Sequence, residues 1–238
     1  MKRSSRSILY VTLLYTAGGA ALRYWLQTTE NGVGLLAEGH PAQYLMLTIF
    51  ALYLQFIIWR TKGMNPPLTY GQHFEGGLFS QLPGTAGMLS VIAFSIQDYL
   101  YFPSRIRIFA LIADGAAALA MAVIMVQHMQ KKKPPFGSLC VIPVAIMINI
   151  ISHCPSWLAE PQWVRYVAPL TAAVLSLFSS YYHAAFRMEQ KNYRAFLVTS
   201  HLTIFFCGLS VCSGSDLLYL GLGLWNMGNL LCNREVTP

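Results

Sequence analysis

Several polar and ionisable side chains interrupt the long apolar stretches of this sequence. A charged group at the centre of a membrane-spanning helix costs roughly 2.5–3.5 kcal/mol to insert, so such residues usually face the protein interior and have a partner there. Five of them fall at a similar predicted depth, in the outer half of their apolar runs: Arg23, Asp98, Asp114, Asn149 and His153. Carboxylates, an imidazole and a guanidinium at one depth can hold a small ligand, an ion or a proton. We therefore predict that these residues form a ligand- or ion-binding site in a polar cavity open to the outside.

A purely structural role explains the same five residues. Arg23 can form an internal ion pair with Asp98 or Asp114 that fixes the packing of the helices. Arg107 lies two turns from Asp114 on the same helix face and can extend towards the outer surface. Because residues at equal depth need not share one face of a bundle, the sequence leaves both interpretations open.

A second set of polar residues lies towards the opposite, inner end of the apolar runs. His183 and Arg187 are four residues apart and share a helix face, and His201 lies in the inner third of its run. The imidazole of histidine titrates near neutral pH, so His183 and His201 are candidates for a proton relay. The alternative is that they are interfacial histidines at helix ends.

The five cysteines contain no Cys-x-x-Cys pair, so we predict no metal site. Cys154 and Cys212 both fall at predicted outer helix ends, where a disulfide can persist, and either a bridge or two free thiols fits. The sequence has no Walker A loop, no His-Glu-x-x-His and no Gly-x-Ser-x-Gly. We therefore predict no cofactor and disfavour an enzyme.

The elements that carry these residues are predicted from composition. Of the 238 residues 55% are hydrophobic and only 11% charged, against roughly 25% charged in a typical soluble domain. A helix of about 20 apolar residues crosses a bilayer. We predict one all-α domain over residues 1–238, a polytopic transmembrane helix bundle of about eight spans near 8–28, 42–60, 83–102, 106–128, 137–153, 164–186, 195–212 and 215–232.

The placement of basic residues predicts the orientation. With both ends in the cytoplasm, 12 of the 16 Lys and Arg residues lie on the inner side, as the positive-inside rule requires. We therefore predict a multi-pass protein of the cell (inner) membrane, with the lipid bilayer as its first partner. The net charge of +7 follows from this placement and does not indicate nucleic acid. A cleaved signal peptide ending near Gly19–Ala21 is the alternative for the first run.

Two further features bear on packing and partners. The first, fourth and eighth runs carry faces of small residues, which let helices approach closely in a membrane. The predicted inner loop over residues 60–82 is long for a connection and contains Tyr70, His73, Phe74 and Phe79. It can lie on the membrane surface, cover the inner end of the bundle or bind a protein partner, and the alternative is a flexible linker.

Three functional hypotheses follow. The polar cluster and the lack of room for a separate soluble domain favour a small-solute or ion transporter, or the membrane subunit of one. The alternative is a non-enzymatic sensor, immunity or assembly component that acts through the 60–82 loop. A membrane enzyme on a lipid-linked substrate is the third, and no catalytic motif supports it.

Overall fold

The computed structural model of the chain describes residues 5–28, 41–62, 64, 74, 77–159, 163–188, 192–211 and 216–232. These residues form eight α-helices: α1 (Ser5–Thr28), α2 (Pro41–Thr61), α3 (Leu78–Tyr101), α4 (Arg105–Met129), α5 (Phe136–Ala159), α6 (Trp163–Arg187), α7 (Tyr193–Ser210) and α8 (Asp216–Leu231). The prediction of an all-helical bundle is confirmed for this part of the chain.

Two helices extend five or more residues beyond one end of the apolar run that predicted them. The run at 83–102 lies in a helix that begins at Leu78, and the run at 137–153 lies in a helix that continues to Ala159. Pro83 and Pro155 stand inside these helices. A proline removes one backbone hydrogen bond and bends a helix, but here the helix continues on its far side. The last part of the predicted inner loop, from residue 78 onwards, therefore belongs to α3.

Four helices, α2 to α5, are long and apolar enough to cross a membrane. α8 contains a shorter apolar segment, Leu217–Leu231. The large outward side chains of α2, including Leu45, Leu52 and Trp59, are exposed. An apolar outer surface of this kind is typical of a helix that contacts lipid, so these elements indicate a membrane protein.

α7 is the central helix of the bundle. Twelve of its 18 residues are buried, and it packs against α6, α8 and α1. α2 lies outside α1 and touches α7, whereas α3, α4, α5 and α6 follow one another as packed neighbours around the other side. The most extensive helix contact joins α3 to α8, which closes the bundle.

Glycines bring α3 and α8 together backbone to backbone. A Cβ atom added to Gly87 would lie 2.6 Å from the carbonyl oxygen of Gly221 and 2.7 Å from the amide nitrogen of Trp225. One added to Gly228 would lie 2.8 Å from the amide nitrogen of Gly84. The small-residue face predicted for the eighth run therefore does pack closely, and its partner is α3. In the fourth run, by contrast, Gly115 faces open space.

Candidate functional site

An ion pair joins the C-terminal end of α3 to the N-terminal end of α4. The positive-inside rule predicts that this end of the bundle faces outwards, so it is called the outer end below, and the opposite end is called the inner end. Asp98 lies in the last turn of α3 and Arg107 in the first turn of α4. The Ser104 hydroxyl caps α4 by accepting a hydrogen bond from the backbone amide of Arg107 at 3.3 Å. The short connection between the two helices turns the Arg107 guanidinium onto the Asp98 carboxylate. The guanidinium also lies 5.7 Å from the ring centroid of Phe102. Both charged side chains are only 12% exposed.

His153 of α5 extends this ion pair into a network. Its Nε2 lies 3.2 Å from Nη1 of Arg107 and 3.9 Å from Oδ1 of Asp98. Its Nδ1 lies 2.9 Å from the carbonyl oxygen of Asn149. Because a guanidinium only donates, Nε2 is the acceptor and Nδ1 carries the proton that bonds this carbonyl. The imidazole is therefore neutral in this arrangement, and Phe94 and Trp157 flank it with ring centroids 5.7 and 6.0 Å away.

Asp114 forms the deeper half of the same network. The Asn149 side-chain amide donates to its Oδ1 at 2.5 Å, and the Ser95 hydroxyl donates to its Oδ2. The Asp114 side chain is buried. Asn149 links the two halves, because its side-chain amide donates to Asp114 and its backbone carbonyl accepts from His153. An ionised Asp114 accepts both hydrogen bonds, and an Asp114 protonated on Oδ2 can donate to the Ser95 hydroxyl instead.

A small cavity lies beside this network. Asp114, Asn149 and His153 line one side of it, and Ala173 and Tyr219 line the other. It offers about 20 Å³ to the centre of a water molecule, which is room for about one water. This cavity is smaller than a ligand-sized one, so a polar cavity open to the outside stays a prediction.

The structure brings together four of the five residues predicted for the site. Asp98, Asp114, Asn149 and His153 meet through α3, α4 and α5. Arg23 is also buried, but it lies on α1, which packs mainly against α2 and α7. The arginine that pairs with Asp98 is Arg107, so the expected Arg23 pairing is replaced by one across the α3–α4 turn. The closeness of Asp98 and Arg107 in sequence, on either side of a short connection, was the signal for it.

His201, one of the two predicted relay residues, belongs to a different buried network. Its Nδ1 lies 3.0 Å from the hydroxyl of Thr12 on α1. The Tyr53 hydroxyl of α2 lies 3.0 Å from both the Thr12 hydroxyl and the His201 carbonyl oxygen. The His201 side chain is fully buried. This network ties α1 and α2 to the central helix and is separate from the outer one.

His183, the other predicted relay residue, lies in an aromatic cluster at the inner end of the bundle. Phe74 from the 60–82 loop is buried there, with its ring centroid 4.7 Å from that of His183 and 5.2 Å from that of His128. Phe186 and Phe196 pack around the same ring. His128 was not expected here. Its place at the end of an apolar run gave no sign that the loop would return to it.

The remaining predicted site elements are described in part. Cys154 is exposed at the outer end of α5 and Cys212 lies outside the described residues, so their disulfide stays a prediction. Tyr70 and His73 of the inner loop also lie outside the described residues. Within the described ranges, no group of three or more His, Cys, Asp or Glu side chains converges as a metal site would require.

The Arg107–Asp98 pair gives a stability prediction. Arg107→Gln leaves the Asp98 carboxylate without its counter-ion, and we expect it to destabilise the protein by about 2 kcal/mol. Removing one partner of a fully buried pair costs more than this, but both side chains here keep some exposure. Arg105→Gln, on an exposed side chain of the same turn, is the matched control. Thermal unfolding in detergent measures both variants.

A double variant tests whether charge is the cause. Asp98→Asn combined with Arg107→Gln removes both charges, so it should unfold at a higher temperature than Arg107→Gln alone. Equal unfolding temperatures for Arg107→Gln and Arg105→Gln would contradict a role for the pair in stability.

Comparison with protein-family models, with curated proteins and with solved structures found no match to this chain.

Proposed function

We propose that this protein is a multi-pass protein of the cell membrane that binds and moves a proton or a small monovalent cation. It would act as an ion or small-solute transporter, or as the membrane subunit of one. In this proposal all eight helices cross the bilayer and both ends of the chain lie in the cytoplasm. The distribution of Lys and Arg residues supports that topology.

The observation that carries the proposal is the charge balance of the outer network. Asp98 and Asp114 contribute two negative charges when ionised, Arg107 contributes one positive charge, and the His153 imidazole is neutral as hydrogen-bonded here. The four side chains together hold one negative charge in excess. Uncompensated charge is costly within a membrane. One added proton or one monovalent cation makes the network neutral, so its stable loaded state has a single bound cation.

The size of the cavity favours the proton. A metal cation needs several oxygen ligands around it, whereas the cavity beside Asp114 has room for about one water. Both Asp114 oxygens already accept hydrogen bonds from the protein. A proton needs no such volume, since it can enter on His153 or on Asp114 with a small rearrangement of hydrogen bonds.

A flux measurement on the purified protein tests the proposal. The protein is reconstituted in liposomes, a potassium diffusion potential is set with valinomycin, and a dye reports the internal pH. We expect faster proton entry than in protein-free liposomes treated identically. The same vesicles under a sodium gradient test the cation alternative. Equal fluxes with and without protein for both ions would overturn the proposal.

A second function is favoured by one observation in the 60–82 loop. Phe74 anchors this loop in the inner aromatic cluster, while Leu78 and Phe79 at the start of α3 are exposed, at 67% and 84%. An anchored segment that presents apolar side chains at one end of the bundle suits a partner protein. In this alternative the chain is a sensor, immunity or assembly component.

Substitutions of Phe74 and Phe79 distinguish the anchoring of the loop from the binding of a partner protein. Phe79→Ala should release a copurifying partner without changing thermal stability, because its side chain contacts little of the bundle. Phe74→Ala should lower the unfolding temperature, since truncating a buried phenylalanine costs about 3–5 kcal/mol. Affinity purification from cross-linked membranes, followed by unfolding of the purified variants, measures both. Unchanged partner recovery with Phe79→Ala would count against this function.

A further inference from the structure

α6 turns its polar face towards the interior of the bundle. Ser176, Ser179, Ser180 and His183 recur at helical spacing and are all buried, whereas Phe178 and Tyr181 on the opposite face are exposed. A soluble amphipathic helix has the reverse arrangement. In a bilayer the polar face must be covered by protein, which explains why the stripe points inward.

Side chains from two other helices meet this face at its middle. The hydroxyl oxygens of Ser179 and Ser200 on α7 are 2.7 Å apart. Ser179 also donates to the side-chain carbonyl of Asn226 on α8 at 2.5 Å. Because the single Ser179 proton is used in that bond, Ser200 must be the donor to Ser179. We refer to Ser176, Ser179, Ser180, His183, Ser200 and Asn226 as the polar seam.

The outer end of the polar seam adjoins the cavity beside Asp114. Ala173, one turn before Ser176 on α6, lines that cavity. Leu222 of α8 also lines it, and the Leu222 carbonyl accepts the Asn226 side-chain amide at 2.9 Å. Leu222 therefore belongs to both the cavity wall and the hydrogen-bonded centre of the seam.

The inner end of the polar seam is His183. It lies one turn beyond Ser179, so about 6 Å further along the helix axis. Its ring centroid is 5.9 Å from that of His128 and 4.7 Å from that of Phe74 in the inner aromatic cluster. From Ala173 to His183 the face of α6 extends about 15 Å, roughly half the thickness of a hydrocarbon core.

We propose that the polar seam is the inner half of the proton path, which leads from the Asp114 cavity through Ser200 and Ser179 to His183. This inference rests on the proposed function, since it assigns the route by which the outer network exchanges its proton with the cytoplasm. The seam adds residues that the outer site does not contain.

The chemistry of the side chains supports a relay. Ser179 accepts a proton from Ser200 and gives up its own, and for this second step its hydroxyl must turn from the Asn226 carbonyl towards the imidazole of His183, which lies one turn further along α6. Ser200 regains a proton from the cavity side, so neither serine changes its net protonation. Asn226 cannot relay in this way, but its carbonyl orients the Ser179 hydroxyl and is therefore a positioning group. The cavity has room for about one water beside Asp114, and Ala173 and Leu222 place that water next to the outer end of the seam.

The competing explanation is that these groups only join three helices. Hydrogen bonds between membrane helices contribute about 0.6 kcal/mol on average, so a joining role predicts small losses of stability and no specific loss of flux. The relay predicts the opposite pattern, a large loss of flux in a protein that stays folded.

Variants of Ser200 and Ser179 test the relay in the liposome flux assay. We expect Ser200→Ala to lower proton flux by about tenfold or more, because a missing hydroxyl breaks the chain of proton transfers. Ser200→Thr keeps a hydroxyl and should retain most of the flux. Ser90→Ala is the matched control, since the Ser90 hydroxyl donates to the Ala86 carbonyl of its own helix. Ser179→Ala is the second variant if Ser200→Ala fails to fold.

The outcomes separate this inference from the proposed function. Flux lost in Ser200→Ala and retained in Ser200→Thr, with similar unfolding temperatures, supports the path. Wild-type flux in both Ser200→Ala and Ser179→Ala, in an assay where Asp114→Asn carries none, overturns the path and leaves the proposed function standing. No flux from the wild-type protein overturns both.

Discussion

Asp114→Asn is expected to abolish ion flux while the protein stays folded. The substitution keeps the size of the side chain but removes its negative charge, so the outer network becomes neutral without a bound cation. A proton added to this neutral network would create an uncompensated positive charge, so proton binding is no longer favoured. The new amide has one acceptor oxygen, for Asn149, and its nitrogen can donate to the Ser95 hydroxyl. Two hydrogen bonds to a carboxylate are thereby replaced by two weaker bonds to a neutral amide, so we expect a stability loss of about 1–3 kcal/mol. Flux in liposomes and thermal unfolding in detergent measure the two effects separately.

Ser95→Ala is the matched control for Asp114→Asn. It removes one hydrogen bond to the same carboxylate and leaves the charge in place. We expect this variant to lose a similar amount of stability and to keep its flux, because the proposal depends on charge and not on the hydrogen bond. Wild-type flux in Asp114→Asn would contradict the assignment of Asp114 as the centre of the site.

Gly87→Ala is expected to be the most damaging small substitution in the bundle. The added methyl group would meet backbone atoms of Gly221 and Trp225 at 2.6 and 2.7 Å, and backbone atoms cannot move aside as a side chain can. α3 and α8 must therefore separate. We expect a loss of at least about 2–3 kcal/mol, in the upper range for overpacked sites. The yield of monodisperse protein and its unfolding temperature measure the effect.

Two other glycines make a graded series with Gly87. A Cβ at Gly84 would lie 3.2 Å from the sulfur of Met125, which is a flexible side chain, so Gly84→Ala should cost less. Gly115 has no atom within 4 Å of its added Cβ, and Gly115→Ala should be neutral or slightly stabilising. Equal effects at all three positions would mean that helix propensity, rather than the α3–α8 contact, determines the result.

The contact between α3 and α8 also bears on function. α3 carries Ser95 and Asp98 of the outer network, and α8 carries Asn226 of the polar seam. Because these two helices are joined through their backbones, a shift of one must carry the other with it. A variant that opens this contact should therefore lower flux as well as stability, and Gly115→Ala should change neither.

Much of this architecture could be predicted from the sequence. Apolar runs identify helices, because a helix in lipid satisfies its own backbone hydrogen bonds and needs no neighbour to do so. The depth of a residue also follows from its number, since each residue adds 1.5 Å along the axis. For this reason Asp98, Asp114, Asn149 and His153 could be grouped before any helix was placed. The inward serines of α6 also recur at helical spacing in the sequence, but no role was predicted for them, because a serine costs little within an apolar helix.

The tertiary structure alone decided which faces meet. The sequence suggested Arg23 as the partner of Asp98 or Asp114, whereas the packing of α4 beside α3 pairs Asp98 with Arg107. The same is true of Gly87 opposite Gly221, and of Phe74 between His128 and His183. The depth of a residue depends only on its position within its own helix, so it can be predicted from the sequence of that helix. The rotation of a helix about its axis is set by neighbours distant in the chain, so the small cavity beside Asp114 became visible only in the assembled bundle.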